Sequence, residues 1–337
     1  NLNKDVLIWD ETFFESDRFN DPKLKDNNIN YYFKNIGVFD AWEKTTGNKD
    51  IVIAVIDDGF DLKHDELNDN IVKPYNVLFQ NDNVYANSKL DHGSHVAGIA
   101  ISEKNNRKGV CGIAPDCSFM PIQISNDNYP GKFSMTDIID GVLYAINNDA
   151  DVINLSIQKL FPPDFKKVTQ KQINETLGSD EELFWNELFK IANDSNITIV
   201  FSAGNLDLLI GLDAMKRDNS IITVSATDKF NKKAKFSNYG KRSTISAPGV
   251  EIFSCKPGGD FVVMDGTSFS SPIIAGVVAL MKSVNPNLTN KEIIEILKVT
   301  GKEIDPSIGP LVQVDKALSL CVSSNTSKIN NINTDSI

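Results

Sequence analysis

The chain has 337 residues, 41% of them apolar, which is enough for one large buried core. Lys and Arg number 34 against 45 Asp and Glu, a net charge of −11, and no basic stripe offsets it, so nucleic acid is excluded as an expected partner. Apolar runs all stop well short of the roughly 20 residues that cross a bilayer, and no membrane span is expected.

In chain order, residues 1–40 are polar with scattered aromatics, among them Trp9, Phe13, Phe14, Tyr31, Tyr32 and Phe33. They read as an N-terminal extension packing its rings onto a core domain, residues 41–322. The last stretch, 323–337, is rich in Asn, Ser and Thr and is expected to be a mobile tail. Residues Asn1 to Asp10 lack the basic start and apolar middle of a signal peptide, so any export signal or pro-segment must lie upstream of them. Cys111, Cys117, Cys255 and Cys321 form no Cys-x-x-Cys pair, and buried free thiols are preferred over a Cys111–Cys117 bridge.

Within the core, continuous apolar or β-branched runs at Ile51–Ile56, Phe119–Ile124, Val152–Ile157, Ile197–Phe201 and Ile221–Val224 predict parallel strands covered on both faces. Helical signals separate them. Ser134 with Asp137 forms a capping box opening a helix to about Asn147, and Thr289 with Glu292 opens another to about Val299. Strand and helix in alternation predict a doubly wound, mostly parallel sheet, with the functional site beyond the carboxyl ends of its strands.

Three segments carry chemistry. Asp57-Asp58-Gly59 closes the first strand run, His92-Gly-Ser-His-Val-Ala-Gly98 opens a helix, and Gly266-Thr-Ser268 precedes the apolar helical run Ile273 to Met281. Acid, histidine and serine so placed are the parts of an acyl-transfer triad. A serine at a helix start is both presented and electrostatically supported. Of the three histidines, His92 stands at the helix start beside Gly93 and is the expected general base; His95 and His64 are expected to be structural. Asp58 should alternate to the far side of the chain and take no part. Pro272 is expected to be tolerated, because the first N–H groups of a helix have no partner to lose.

These residues resemble the subtilisin-like serine proteases, the subtilases. The resemblance runs from about Asn20 to Leu318 through Val55-Ile-Asp-Asp-Gly59, the His92 segment, Gly112-Ile-Ala-Pro115, Asp151-Val-Ile-Asn-Leu-Ser156, Ala203-Gly-Asn205, Phe236-Ser-Asn-Tyr-Gly240, Ala247-Pro-Gly249 and Gly266-Thr-Ser268. It implies a three-layer α/β fold and endopeptidase activity through Asp57, His92 and Ser268, with Asn205 donating to the oxyanion. Substrate would pair as an added strand near Ser156 and near Ser202, Ala203 and Gly204. Two departures stand out. Gln158 occupies a position where the family commonly has Gly, and Lys159 to Asn196 is longer than the usual connection by about 20 residues. Both predict narrow selectivity, with Gln158 crowding the cleft and Phe161-Pro-Pro163 shaping it.

No cofactor is expected for the chemistry. The resemblance raises structural calcium, for which Glu66 and Asn106 are the candidate ligands, although Lys104, Arg107 and Lys108 crowd the same loop. The expected protein is a monomeric, secreted or cell-surface bacterial protease acting on protein or peptide segments, a pro-segment being a further partner. Alternatives are a subtilase fold that only captures peptides, and one that transfers the acyl group to an amine and cyclises its product.

Overall fold

Five apolar runs of the sequence become neighbouring strands of one parallel sheet in the computed structural model, which describes residues 19–323. Short helices α1 (Tyr31–Asn35) and α2 (Val38–Trp42) lead to β1 (Val52–Asp57). There follow β2 (Tyr75–Asn76), α3 (His92–Ile101), β3 (Ser118–Gln123), α4 (Met135–Asn147), β4 (Val152–Leu155), α5 (Gln170–Asn174), α6 (Asp180–Asp194) and β5 (Thr198–Ser202). Then come β6 (Ile222–Thr227), β7 (Ile245–Pro248), β8 (Ile252–Lys256), β9 (Asp260–Met264), α7 (Thr267–Val284), α8 (Asn290–Thr300) and α9 (Val314–Ser323).

The sheet order is β2-β3-β1-β4-β5-β6-β7, every pair parallel, while β8 and β9 make a separate antiparallel hairpin. Period-2 alternation divides the core. Ile53 and Val55 of β1 point to the face covered by α3, α7 and α9, and Ala54 and Ile56 point to the face covered by α4 and α6. With helices on both faces the architecture has three layers. Because β2 and β3 lie on one side of β1 and β4 to β7 on the other, the loops beyond β1 and β4 diverge and leave a crevice between them.

Both expected capping boxes form. Ser134 Oγ accepts the Asp137 N–H, whose carboxylate accepts the Ser134 N–H at 2.6 Å, and Thr289 and Glu292 repeat the pattern. Each such cap is worth about 1 kcal/mol. Tyr32, Phe33 and Trp42 are fully buried in the same cluster as α7 and α9, and the Val314 N–H donates to Ile36 O at 2.7 Å. Trp9, Phe13, Phe14 and the residues after Ser323 lie outside the described part. All four cysteines are buried free thiols. By length and composition α7 alone among the described helices could cross a membrane, but 83% of it is buried inside the protein, as the core helix of the fold.

Candidate active site

The strand ends bring Asp57, His92, Asn205 and Ser268 to one edge of the sheet. Asp57 is the last residue of β1 and His92 the first of α3, and His92 Nδ1 lies 2.7 Å from Asp57 Oδ1. The carboxylate side chain is sealed at 4% exposure and the imidazole is open at 32%, so the acid can hold the ring while part of it stays accessible. Gly93 permits this approach. A Cβ there would meet Gly59 O at 2.4 Å and Asp57 Cβ at 3.0 Å, so a larger residue would push α3 off the strand end.

Asp58 does not turn away. The strand ends at Asp57, alternation stops with it, and the Asp58 carboxylate accepts the Gly93 N–H at 2.8 Å and the His92 N–H at 3.3 Å. It caps α3 and fixes the backbone that carries the imidazole. Burial first, then the Asp57 charge, pushes the Asp58 carboxyl up to about 7. For His92 burial acts downward, but the Asp57 charge and hydrogen bond, with Asp58 and Asp91 behind them, outweigh it and raise the ring to about 9.

His95 and His64 are structural. His95 is buried, its Nε2 3.2 Å from Val262 O, and burial followed by the His92 charge lowers it to about 3, so it stays neutral. His64 Nδ1 accepts the Glu66 N–H at 3.2 Å and its Nε2 lies 2.9 Å from Asp260 O.

Ser268 is the second residue of α7, among the helix N–H groups that lack an intrahelical partner. Its hydroxyl donates to Ser156 O at 3.4 Å, a long bond that leaves it free to turn. Pro272 is the sixth helical residue, not one of the first, and its missing N–H does remove a bond, the one to Ser268 O. That carbonyl instead accepts the Ser156 hydroxyl at 2.7 Å. Ser156 Oγ in turn accepts from Asn154 Nδ2 at 3.1 Å, and Asn154 Oδ1 accepts from Ser271 Oγ at 2.7 Å. This chain stitches the end of β4 to the start of α7 at the serine.

Asn205 is oriented by Thr267. The Thr267 N–H and hydroxyl both donate to Asn205 Oδ1, at 2.9 and 2.8 Å, while Thr267 Oγ1 accepts the Gly204 N–H at 3.0 Å. With its oxygen so held, the amide nitrogen is turned toward the residue that precedes Thr267, 3.6 Å from where a Cβ on Gly266 would stand. Gly204 is required: its φ is +106°, and a Cβ would meet Asn238 Nδ2 at 2.4 Å.

The substrate-binding residues expected from the sequence divide. Ser202 Oγ is used by Ile157 O at 3.0 Å, and the Ala203 and Gly204 N–H groups donate to Val224 O and Thr267 Oγ1. The Ala203 and Gly204 N–H groups are therefore already used within the protein. The edge by Ser156 remains. Gln158 reaches across, its Oε1 accepting the Asn205 N–H at 2.7 Å. Asn238, part of the Phe236–Gly240 motif but given no role from sequence, accepts the Leu206 and Leu208 N–H groups and donates to Ala203 O at 3.0 Å, holding the Asn205 loop.

Glu66 and Asn106 do meet, but as acceptor and donor. Asn106 Nδ2 gives a hydrogen bond to Glu66 Oε2 at 3.1 Å and its carbonyl accepts the Lys108 N–H at 2.8 Å. Glu66 Oε1 is a buried oxygen without a partner, and burial first, then Asp21 and Glu103, pushes this carboxyl up to about 8. Calcium takes six to eight oxygens. Among the described residues no group of three or more His, Cys, Asp or Glu gathers there to supply them.

Residues 48–317 match the subtilase family. A thermophilic serine proteinase of Bacillus sp. (strain AK1) is 34% identical over 265 residues, 78% of this chain and 59% of that protein. The halolysin-like extracellular serine protease Nep of Natrialba magadii is 29% identical over 318 residues, 90% of this chain and 54% of its own length. The chain thus spans little more than half of these curated relatives. A solved protease structure from Pseudoalteromonas arctica aligns with TM-score 0.73 at 24% identity, over 90% of this chain and 99% of that one, a likeness of fold.

Proposed function

The chain belongs to the subtilase family, and from that premise we propose that it is a serine endopeptidase in which Ser268 is the nucleophile, His92 the general base and Asp57 its orienting acid. The observation that carries the reading is the 2.7 Å contact of His92 Nδ1 with a buried Asp57, at the strand edge where Ser268 opens a helix. Neutral His92 takes the proton of Ser268 Oγ through Nε2 as the oxygen bonds to the substrate carbonyl carbon. Negative charge forms on the carbonyl oxygen, opposite the Ser268 N–H and the Asn205 NH2. The same imidazolium then gives its proton to the leaving amine, and water repeats the sequence on the acyl-enzyme. Because the base must be neutral and its value lies near 9, turnover rises with pH through the alkaline range.

The substrate is an extended protein segment pairing with the edge at Ser156. Gln158 lies between the two segments that flank the cleft, which favours selective processing over general degradation. Export to the cell exterior is proposed from the extracellular relative. The test is Ser268→Ala: the purified variant should lose roughly 10⁶ in kcat, the size of effect known for subtilisin, with an unchanged melting temperature. Retention of more than a trace of turnover would remove Ser268 from the mechanism.

A further inference from the structure

The connection from β4 to β5 is a built wall. After Gln158 it forms a 3-10 turn at Pro163–Lys167, then α5 and α6. Arg217, buried, ties it to the body of the protein: Nε donates to Gly211 O at 2.7 Å, and the guanidinium nitrogens reach Thr176 O at 2.9 Å, Thr176 Oγ1 at 3.0 Å and Glu182 at 3.0 Å. Ile173 of α5 is buried against Gly211. At the near end Lys159 pairs with Glu181 at 2.8 Å, and the rings of Phe161 and Phe165 stand 5.2 Å apart.

Between this wall and the loop beyond β5 lies a cavity of about 510 Å³ that reaches Asn205. That size suits recognition of a side chain and its neighbour. Phe161 and Pro163 line it from the insertion, Leu206 and Phe236 from the body, and Lys166 and Lys235 stand exposed at its mouth. The one acid on its lining, Asp207, is already paired with Lys233 at 3.0 Å. Among the described residues neither Lys166 nor Lys235 has an acidic partner. In a chain of net charge −11, an apolar cavity with two unpaired ammonium groups at its mouth calls for a complementary anion.

We propose that this cavity is a specificity pocket added by the insertion: it receives a large apolar or aromatic side chain of the substrate flanking the scissile bond, and Lys166 and Lys235 pair with an acidic residue next to it. The assignment rests on the protease reading, since the cavity's edge at Asn205 is what sets it beside the reacting carbonyl.

The test uses fluorescent peptides that differ at two positions, Phe or Ala at one and Asp or Lys beside it, titrated by anisotropy onto the full chain carrying Ser268→Ala. Binding is then read without cleavage. Peptides with Phe and Asp should bind tightest, and adding Lys166→Glu with Lys235→Glu should invert the Asp-over-Lys order, each opposed pair changing affinity by up to about fivefold. Phe161→Ala should shrink the Phe-over-Ala ratio and leave the Asp-over-Lys ratio in place. Equal affinities for all four peptides, or ratios unmoved by the charge reversal, would overturn the pocket. Failure of the protease reading shows elsewhere, as absence of peptide cleavage by the unmutated chain, and does not move these ratios.

Discussion

At the ends of β1, β4 and β5 nearly every polar side chain is held by a neighbour: Asp58 by the α3 N–H groups, Ser156 by Asn154 and Ser268 O, Asn205 by Thr267. The insertion at 159–196 begins a few residues away and leaves most of its side chains in water, with Ile173, Glu182, Trp185, Leu188, Phe189 and Ala192 buried among its helices. A catalytic constellation must be held within a fraction of an ångström, which needs over-determined contacts. A recognition surface need only present the right chemistry, and an exposed wall pinned by one buried arginine does that. On the proposed reading, the chain separates reaction from choice of substrate.

That contrast can be broken in graded steps. Beyond loss of the nucleophile, the largest effect should come from Asn205→Ala, which removes one oxyanion donor and should lower kcat by about 10²–10³ while KM changes little. A loss confined to KM would make Asn205 a binding residue instead. Gln158→Gly removes the side chain that bridges the two flanking segments. Cleavage of a mixed peptide library should then tolerate more residues upstream of the scissile bond, and identical profiles would leave selectivity to the insertion alone.

The smallest effect is a shift of pH dependence. At the pH where His92 loses its proton, near 9, Asp58 is ionised, since its own value is about 7. Its charge favours the imidazolium. Asp58→Asn keeps an oxygen for the Gly93 N–H and removes that charge, so the midpoint of the rising limb of kcat against pH should move to lower pH. An unmoved midpoint would mean that Asp58 acts on His92 through the backbone only.

The sheet was legible because its five central strands are continuous apolar runs, a pattern that survives without tertiary context. The strands beyond it were not. β2 has two residues, too few for a run, and the short apolar run Phe261–Met264 of β9 is half exposed and lies outside the sheet, although Pro257-Gly258-Gly259 marks the hairpin turn of β8 and β9. In the site, Asp57, His92 and Ser268 are readable because strand ends and helix starts can be located locally. Asp58 was misread because alternation was carried one residue past the strand. Pro272 was misread because the helix begins at Thr267, so the carbonyl it releases is that of Ser268 itself. Asn238 holds a loop 30 to 35 residues earlier in the chain, a contact that no local pattern encodes.

Reaction of the intact protein with a fluorophosphonate, followed by digestion and mass spectrometry to locate the adduct, tests the central claim most directly, because the probe bonds only to an activated serine. A single adduct on Ser268, formed at a rate that climbs with pH toward a plateau above about 9 and is abolished by His92→Ala, is the predicted result. No adduct, an adduct on another serine, or a labelling rate on Ser268 indifferent to His92 would contradict it.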